Sequence, residues 1–175
     1  MKLKGVKLNM KVTILSMSQA QYYVPQGKSA IVRVSDGGYE LESLNHPYQI
    51  VLSMSFYDIE PRVGLPSNWN WFNMSDGKML IKLFDEINLF DELVIHCHAG
   101  VSRSPAIAIA YAWYRNDLEL INKIKDGNYH PNMQVLNIMS RLIFKDIKVA
   151  RNKLDEISNF YKSKVQENNS RAARF

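Results

Sequence analysis

Short apolar runs alternate with longer periodic ones along the chain. "KVTILSMS" (Lys11 to Ser18) and "SAIVRVS" (Ser29 to Ser35) are apolar and β-branched, and the turn signal "DGG" closes the second. Both are predicted as strands. "YQIVLSMSF" (Tyr48 to Phe56) is a third, and "ELVIHC" (Glu92 to Cys97) a fourth, short and apolar as a strand buried on both faces would be. In "SDGKMLIKLFDEIN", Met79, Leu80, Leu83, Phe84 and Ile87 share one helical face, with Ser75 or Asp76 suited to cap its start. "SPAIAIAYAWYRN" is alanine-rich, with Pro105 near its first turn, and predicts a buried helix. From "HPNMQVLNIMSRLIFKDI" onward, Val135, Leu136, Met139, Leu142, Ile143, Ile147, Leu154, Ile157, Tyr161 and Val165 recur at helical spacing, giving one long helix or two in succession. Strands followed by helices predict a single α/β domain over 1–165, a mostly parallel central sheet flanked by helices, with 166–175 as a frayed tail.

Composition narrows the class. In 175 residues, 46% apolar and 22% charged, there is room for one domain with a core and no sign of disorder. The longest apolar run near the N-terminus is "VTIL", too short for a signal peptide, and nothing approaches the length of a membrane span. A single cysteine excludes an internal disulfide and a thiol-rich metal site, so a reducing, cytoplasmic setting is expected, with no metal and no cofactor. The sequons at Asn73 and Asn168 carry no weight in that setting. Net charge is +5 and the pI about 9.2, which favours anionic ligands. The basic residues are dispersed and no nucleic-acid motif is present, so phosphate is favoured over nucleic acid. Nothing in the sequence sets the oligomeric state. "GKS" at Gly27 to Ser29 is not a nucleotide-binding loop, because position 22, where an earlier glycine is required, holds Tyr22.

The chemistry concentrates in "HCHAGVSRSP", His96 to Pro105. Cys97 ends a predicted strand and a helix begins near Ser102 to Pro105. The turn between them must aim backbone N–H groups at one point, backed by a helix N-terminus, which makes an anion site. The thiolate is the nucleophilic form of cysteine, so such a site suits a reactive thiol. Gly100 admits backbone angles that other residues resist, and the Arg103 guanidinium can grip two phosphate oxygens at once. Together these predict in-line attack by Cys97 on a phosphate monoester, with the loop amides and Arg103 holding the equatorial oxygens. A lone cysteine is usually a small buried hydrophobe. Here that reading would make Gly100, Arg103 and Ser104 coincidences.

His96, Cys97, Gly100, Arg103 and Ser104 fit H-C-x-x-G-x-x-R-[ST], and the chain thereby resembles the cysteine-dependent protein tyrosine phosphatases, most of all their small dual-specificity-like branch. The order of elements from about Tyr48 to Leu142 resembles that branch too. The resemblance implies a protein tyrosine phosphatase-like fold and a phosphorylated protein as substrate, through phosphotyrosine, with phosphoserine and phosphothreonine as further candidates. It implies Cys97 as nucleophile and Arg103 as clamp, with His98, Ala99, Gly100, Val101, Ser102 and Arg103 forming the phosphate loop. By the same resemblance Ser104 assists departure of the thiolate, His96 supports the loop, and Asp58 in "SFYDIEP" is the general acid.

Asp76 is the rival acid, though capping a helix is its simpler account, and Glu60 is a third choice. His98 departs from the acidic residue many dual-specificity enzymes carry there, which leaves substrate choice open. Trp69, Trp71 and Phe72 are either a lid or core aromatics, and core packing is the commoner fate. Asn132 either braces the loop or caps a helix. His46 and His130 are read as structural, and Arg33 and Arg62 as solvated surface. Alternatives are a phosphoinositide or RNA 5′-end phosphatase and a non-catalytic phosphoprotein-binding module. Arsenate reduction generally needs further thiols, and the motif lies too far along the chain for the low-molecular-weight phosphatases.

Overall fold

Ser16 ends the first strand. Its hydroxyl accepts from Gln19 N–H (3.2 Å) while Gln19 Oε1 accepts from Ser16 N–H (2.9 Å), a reciprocal capping box that starts a helix. The strand predicted over 11–18 therefore stops two residues early. This is seen in the computed structural model of the chain, which describes residues 10–37, 41–59 and 69–172, with side chains to 167.

The strands are β1 (Lys11–Ser16), β2 (Ser29–Ser35), β3 (Ile50–Ser55) and β4 (Glu92–Cys97). They form one central sheet in the order β1-β4-β2-β3, and all three pairings are parallel. The position of each strand explains its sequence. β4 lies inside the sheet and is buried at every residue, whereas the edge strand β3 alternates exposed positions with half-buried ones and the buried Met54. The helices are α1 (Met17–Tyr22), α2 (Met74–Glu86), α3 (Arg103–Arg115), α4 (Leu118–Asp126), α5 (Met133–Ile143) and α6 (Ile147–Ala172). α3 packs on β4, β1, α4 and α5, and α5 in turn on α2 and α6. The protein is thus an α/β structure with an all-parallel sheet flanked by helices. No helix among the described residues is long and apolar enough to cross a membrane.

Caps account for most departures from the predicted elements. The N-cap of α2 is Asn73, not Ser75 or Asp76; Asp76 sits at its third position, where Oδ2 accepts from Asn73 N–H at 2.9 Å. The C-terminal periodic region is two helices, because Asp146 caps the second by accepting from Lys148 N–H at 2.7 Å. α4 was not predicted: it is only nine residues long, with Ile121 and Ile124 buried and Asp117 capping its start. α6 runs through most of the tail expected to fray, for it contains neither glycine nor proline.

Candidate active site

In a parallel sheet every strand delivers its C-terminal end to the same edge, and ligand sites form there. At this edge the segments after β1, β2, β3 and β4 meet. Cys97 closes β4 at 2% exposure, and the loop 98–102 leads directly into Arg103, the first residue of α3. The loop carbonyls turn outward to partners: His98 O accepts from Met17 N–H (3.1 Å), Val101 O from His130 N–H (2.9 Å), and Ser102 O from Asn132 N–H (3.2 Å). Among the described residues, no backbone N–H from Ala99 to Ser102 donates to a carbonyl in return. Carbonyls committed to partners and amides left uncommitted are the makings of an anion cradle.

Gly100 is required for this shape. Its φ is +73°, and a Cβ there would lie 2.7 Å from the Leu15 carbonyl group and 2.8 Å from Ser16 N, backbone that cannot step aside. Ser102 occupies the N-cap of α3 without making a capping bond, so the helix N-terminus stays open toward the cradle. Its hydroxyl donates instead to Asp58 Oδ1 at 2.7 Å.

Asp58 follows β3 and is held beside the cradle. Asn132 Nδ2 also donates to Oδ1 (2.8 Å), and Oδ2 lies 3.8 Å from Arg103 Nε. Asn132 thus does both things considered for it, since its Oδ1 accepts from Val135 N–H (3.0 Å) and caps α5. Asp58 is further fixed by its neighbours: Tyr57 N–H donates to Asn70 O (2.8 Å), Asn70 Nδ2 to Ser55 O (2.8 Å), and the Tyr57 ring stacks on Trp69. Of the three aromatics considered for a lid, Phe72 belongs to the core against Phe56, Trp71 is half-buried and Trp69 lies on Tyr57.

Arg103 is buried, with Nη1 donating to Asp36 Oδ1 and to the Phe56 carbonyl, each at 2.7 Å. Among the described residues its Nε is buried without a hydrogen-bond partner, as is the Ser104 hydroxyl. Asp36 escaped the sequence reading because "DGG" reads as a turn. Its place at the end of the strand beside β4 was the available signal.

Arg33 also departs from the sequence reading, which put it on the surface. It pairs in register with His96 across β2 and β4, and its Nε donates to His96 Nε2 at 3.4 Å while Nη2 donates to the Glu42 carbonyl. A guanidinium only donates, so the ring proton of His96 lies on Nδ1. Burial first, then the Arg33 charge, push the imidazole down to about 4, against a smaller opposing pull from the Cys97 backbone. His96 is neutral under the loop, while His98 is exposed on its rim.

Asp76 belongs elsewhere. It is occupied in the α2 cap, where burial raises its carboxyl and the Asn73 N–H bond partly opposes the rise. Glu60 and Arg62 lie outside the described residues. The sequence therefore led to Cys97, Arg103, Ser104, the loop and Asp58, which the fold gathers at one edge, and missed Asp36 and Arg33. No protein-family model matches the chain, and no curated protein matches it either.

Proposed function

We propose that the protein is a cysteine-dependent phosphatase with a protein tyrosine phosphatase-like fold, hydrolysing phosphotyrosine in a phosphorylated protein, with phosphoserine and phosphothreonine as further candidates. The observation that carries this reading is the convergence of a nucleophile, an anion cradle and a carboxylic acid. The His98, Val101 and Ser102 carbonyls are bonded to partners outside the loop, and Asp58 Oδ2 lies 3.8 Å from the Nε of the buried Arg103.

The chemistry follows from those positions. The phosphoryl oxygens accept from the loop amides and from Arg103, whose Nη1 is anchored by Asp36 and Phe56 while Nε is unsatisfied. Cys97 Sγ attacks phosphorus in line. The bond from phosphorus to the ester oxygen breaks, its electron pair leaves with that oxygen, and Asp58 gives the oxygen a proton. Water then attacks the cysteinyl-phosphate, Asp58 takes a proton from it, and the S–P electron pair returns to sulfur as inorganic phosphate forms. The partnerless Ser104 hydroxyl is placed to donate to the departing thiolate. No metal or cofactor enters this sequence, and a reducing compartment would keep Cys97 active.

Turnover of para-nitrophenyl phosphate by wild type, Cys97→Ser and Asp58→Asn tests the reading. Wild type should turn over and leave phosphate on Cys97 after an acid quench, and Cys97→Ser should fall to background. Asp58→Asn should lose about 10²-fold or more on an ester with a poor leaving group. Absence of wild-type turnover with phosphopeptide binding retained would make the protein a binding module.

A further inference from the structure

Both donors to Asp58 reach the same oxygen. Ser102 Oγ (2.7 Å) and Asn132 Nδ2 (2.8 Å) converge on Oδ1, and Oδ2 is left on the side of Arg103. We propose that Ser102 and Asn132 are positioning residues that set Asp58 beside the cradle before substrate arrives and direct its proton to Oδ2. The inference rests on the reading of Asp58 as general acid and adds to it how the acid is presented.

A protonated carboxyl has one carbonyl oxygen, the better acceptor, and one hydroxyl oxygen. Two donors on Oδ1 select it as the carbonyl. The proton then belongs on Oδ2, the oxygen on the side of Arg103. Each donor is committed to Asp58 in its own way. The Asn132 amide is oriented by its cap, because Oδ1 must face Val135 N–H and Nδ2 therefore faces Asp58. Ser102 stands at an N-cap yet makes no capping bond, so its hydroxyl serves Asp58.

The placement also spans three elements. Ser102 is the last residue of the cradle loop, Asn132 precedes α5, and Asp58 follows β3. A third bond, Asn132 N–H to Ser102 O (3.2 Å), ties the two donors to each other. Asn70 also holds the chain just before the acid, accepting from Tyr57 N–H and donating to Ser55 O.

The test compares kcat on 4-nitrophenyl phosphate, whose leaving group needs little protonation, with kcat on phenyl phosphate, whose leaving group needs more. Wild type, S102A, S102T, N132D, D58N and the double variant S102A/D58N are measured. Asp at 132 keeps an acceptor for Val135 N–H and replaces the amide donor with a carboxyl that competes with Asp58 for its proton, and Ala at 102 removes no cap, so both variants should fold; urea unfolding checks this. The expected result is a loss at least about fivefold larger on phenyl than on 4-nitrophenyl phosphate for S102A and N132D. S102T should recover most of that loss, and S102A should add no further leaving-group discrimination in the D58N background. If D58N discriminates between the esters while folded S102A and N132D behave as wild type does, the positioning role is overturned and the general acid stands. If D58N itself shows the wild-type ratio, the general-acid reading falls and this inference with it.

Discussion

His96 illustrates how a single residue ties the site to the stability of the fold. Buried to 1% exposure beside Arg33, it stays neutral until about pH 4, whereas an unfolded imidazole takes up its proton near pH 6.5. Between those values the unfolded chain binds the extra proton. Stability is therefore full above pH 6.5 and falls as the pH drops toward 4. Chemical denaturation at pH 7.5 and pH 5 should show His96→Gln losing about 2 kcal/mol less than wild type over that interval. An identical loss in both would remove His96 as the source. At this scale the sequence was most legible where residues are consecutive. Cys97, Gly100, Arg103 and Ser104 read together because the loop needs them at fixed offsets, and Asp58 read from its strand end. Arg33 and Asp36 act on residues far along the chain, through pairing across β2 and β4 and across the loop edge. No local pattern encodes such contacts.

Among the elements, β4 carries two different loads at its two ends. At its start Glu92 is buried and accepts from Thr13 Oγ1 (2.6 Å), Tyr23 Oη (2.6 Å) and Gln26 N–H (2.9 Å), with Lys11 Nζ at 3.1 Å. Burial works to raise its carboxyl, but these bonds outweigh it and hold Glu92 below the usual glutamate range. The cluster ties β1 and the chain before β2 to the central strand. Glu92→Leu would leave the Thr13 and Tyr23 hydroxyls and the Gln26 N–H without their acceptor, and should cost about 2–3 kcal/mol in urea unfolding. Roughly 16 Å of strand separates Glu92 from Cys97, so kcat per folded molecule should hold, and a loss of turnover matching the loss of stability would contradict this separation of loads. The boundaries of β2 and β4 were legible because both strands sit inside the sheet and read as apolar runs. The end of β1, the start of α2 and the break between α5 and α6 were not. Each is set by a side chain folding back on a nearby backbone N–H, a competition that apolar periodicity does not register.

For the molecule as a whole, one count matters most: these 175 residues hold a single thiol. Mild peroxide should convert Cys97 to the sulfenic acid or a backbone sulfenamide, since the chain offers no second cysteine to resolve it, and a thiol reductant should restore turnover. Intact-mass measurement with an activity assay checks this, and inorganic phosphate in the cradle should slow the oxidation. Irreversible loss at low peroxide would count against the cradle as a protected site. The positive net charge was legible from composition and agrees with an anion site, but composition alone did not locate that site. Its place follows from the parallel arrangement of the sheet.

The strand order has a consequence for synthesis. Among the described residues β1 pairs with β4 alone, Lys11 opposite Glu92, so this strand has no partner there until roughly 80 more residues have been added, about 4–16 s at cellular rates of elongation. The cradle waits with it, because Gly100 packs on the Leu15 backbone and His98 O accepts from Met17 N–H. The nascent chain can thus carry a complete Cys-to-Arg motif before it has the surface that shapes the motif into a pocket.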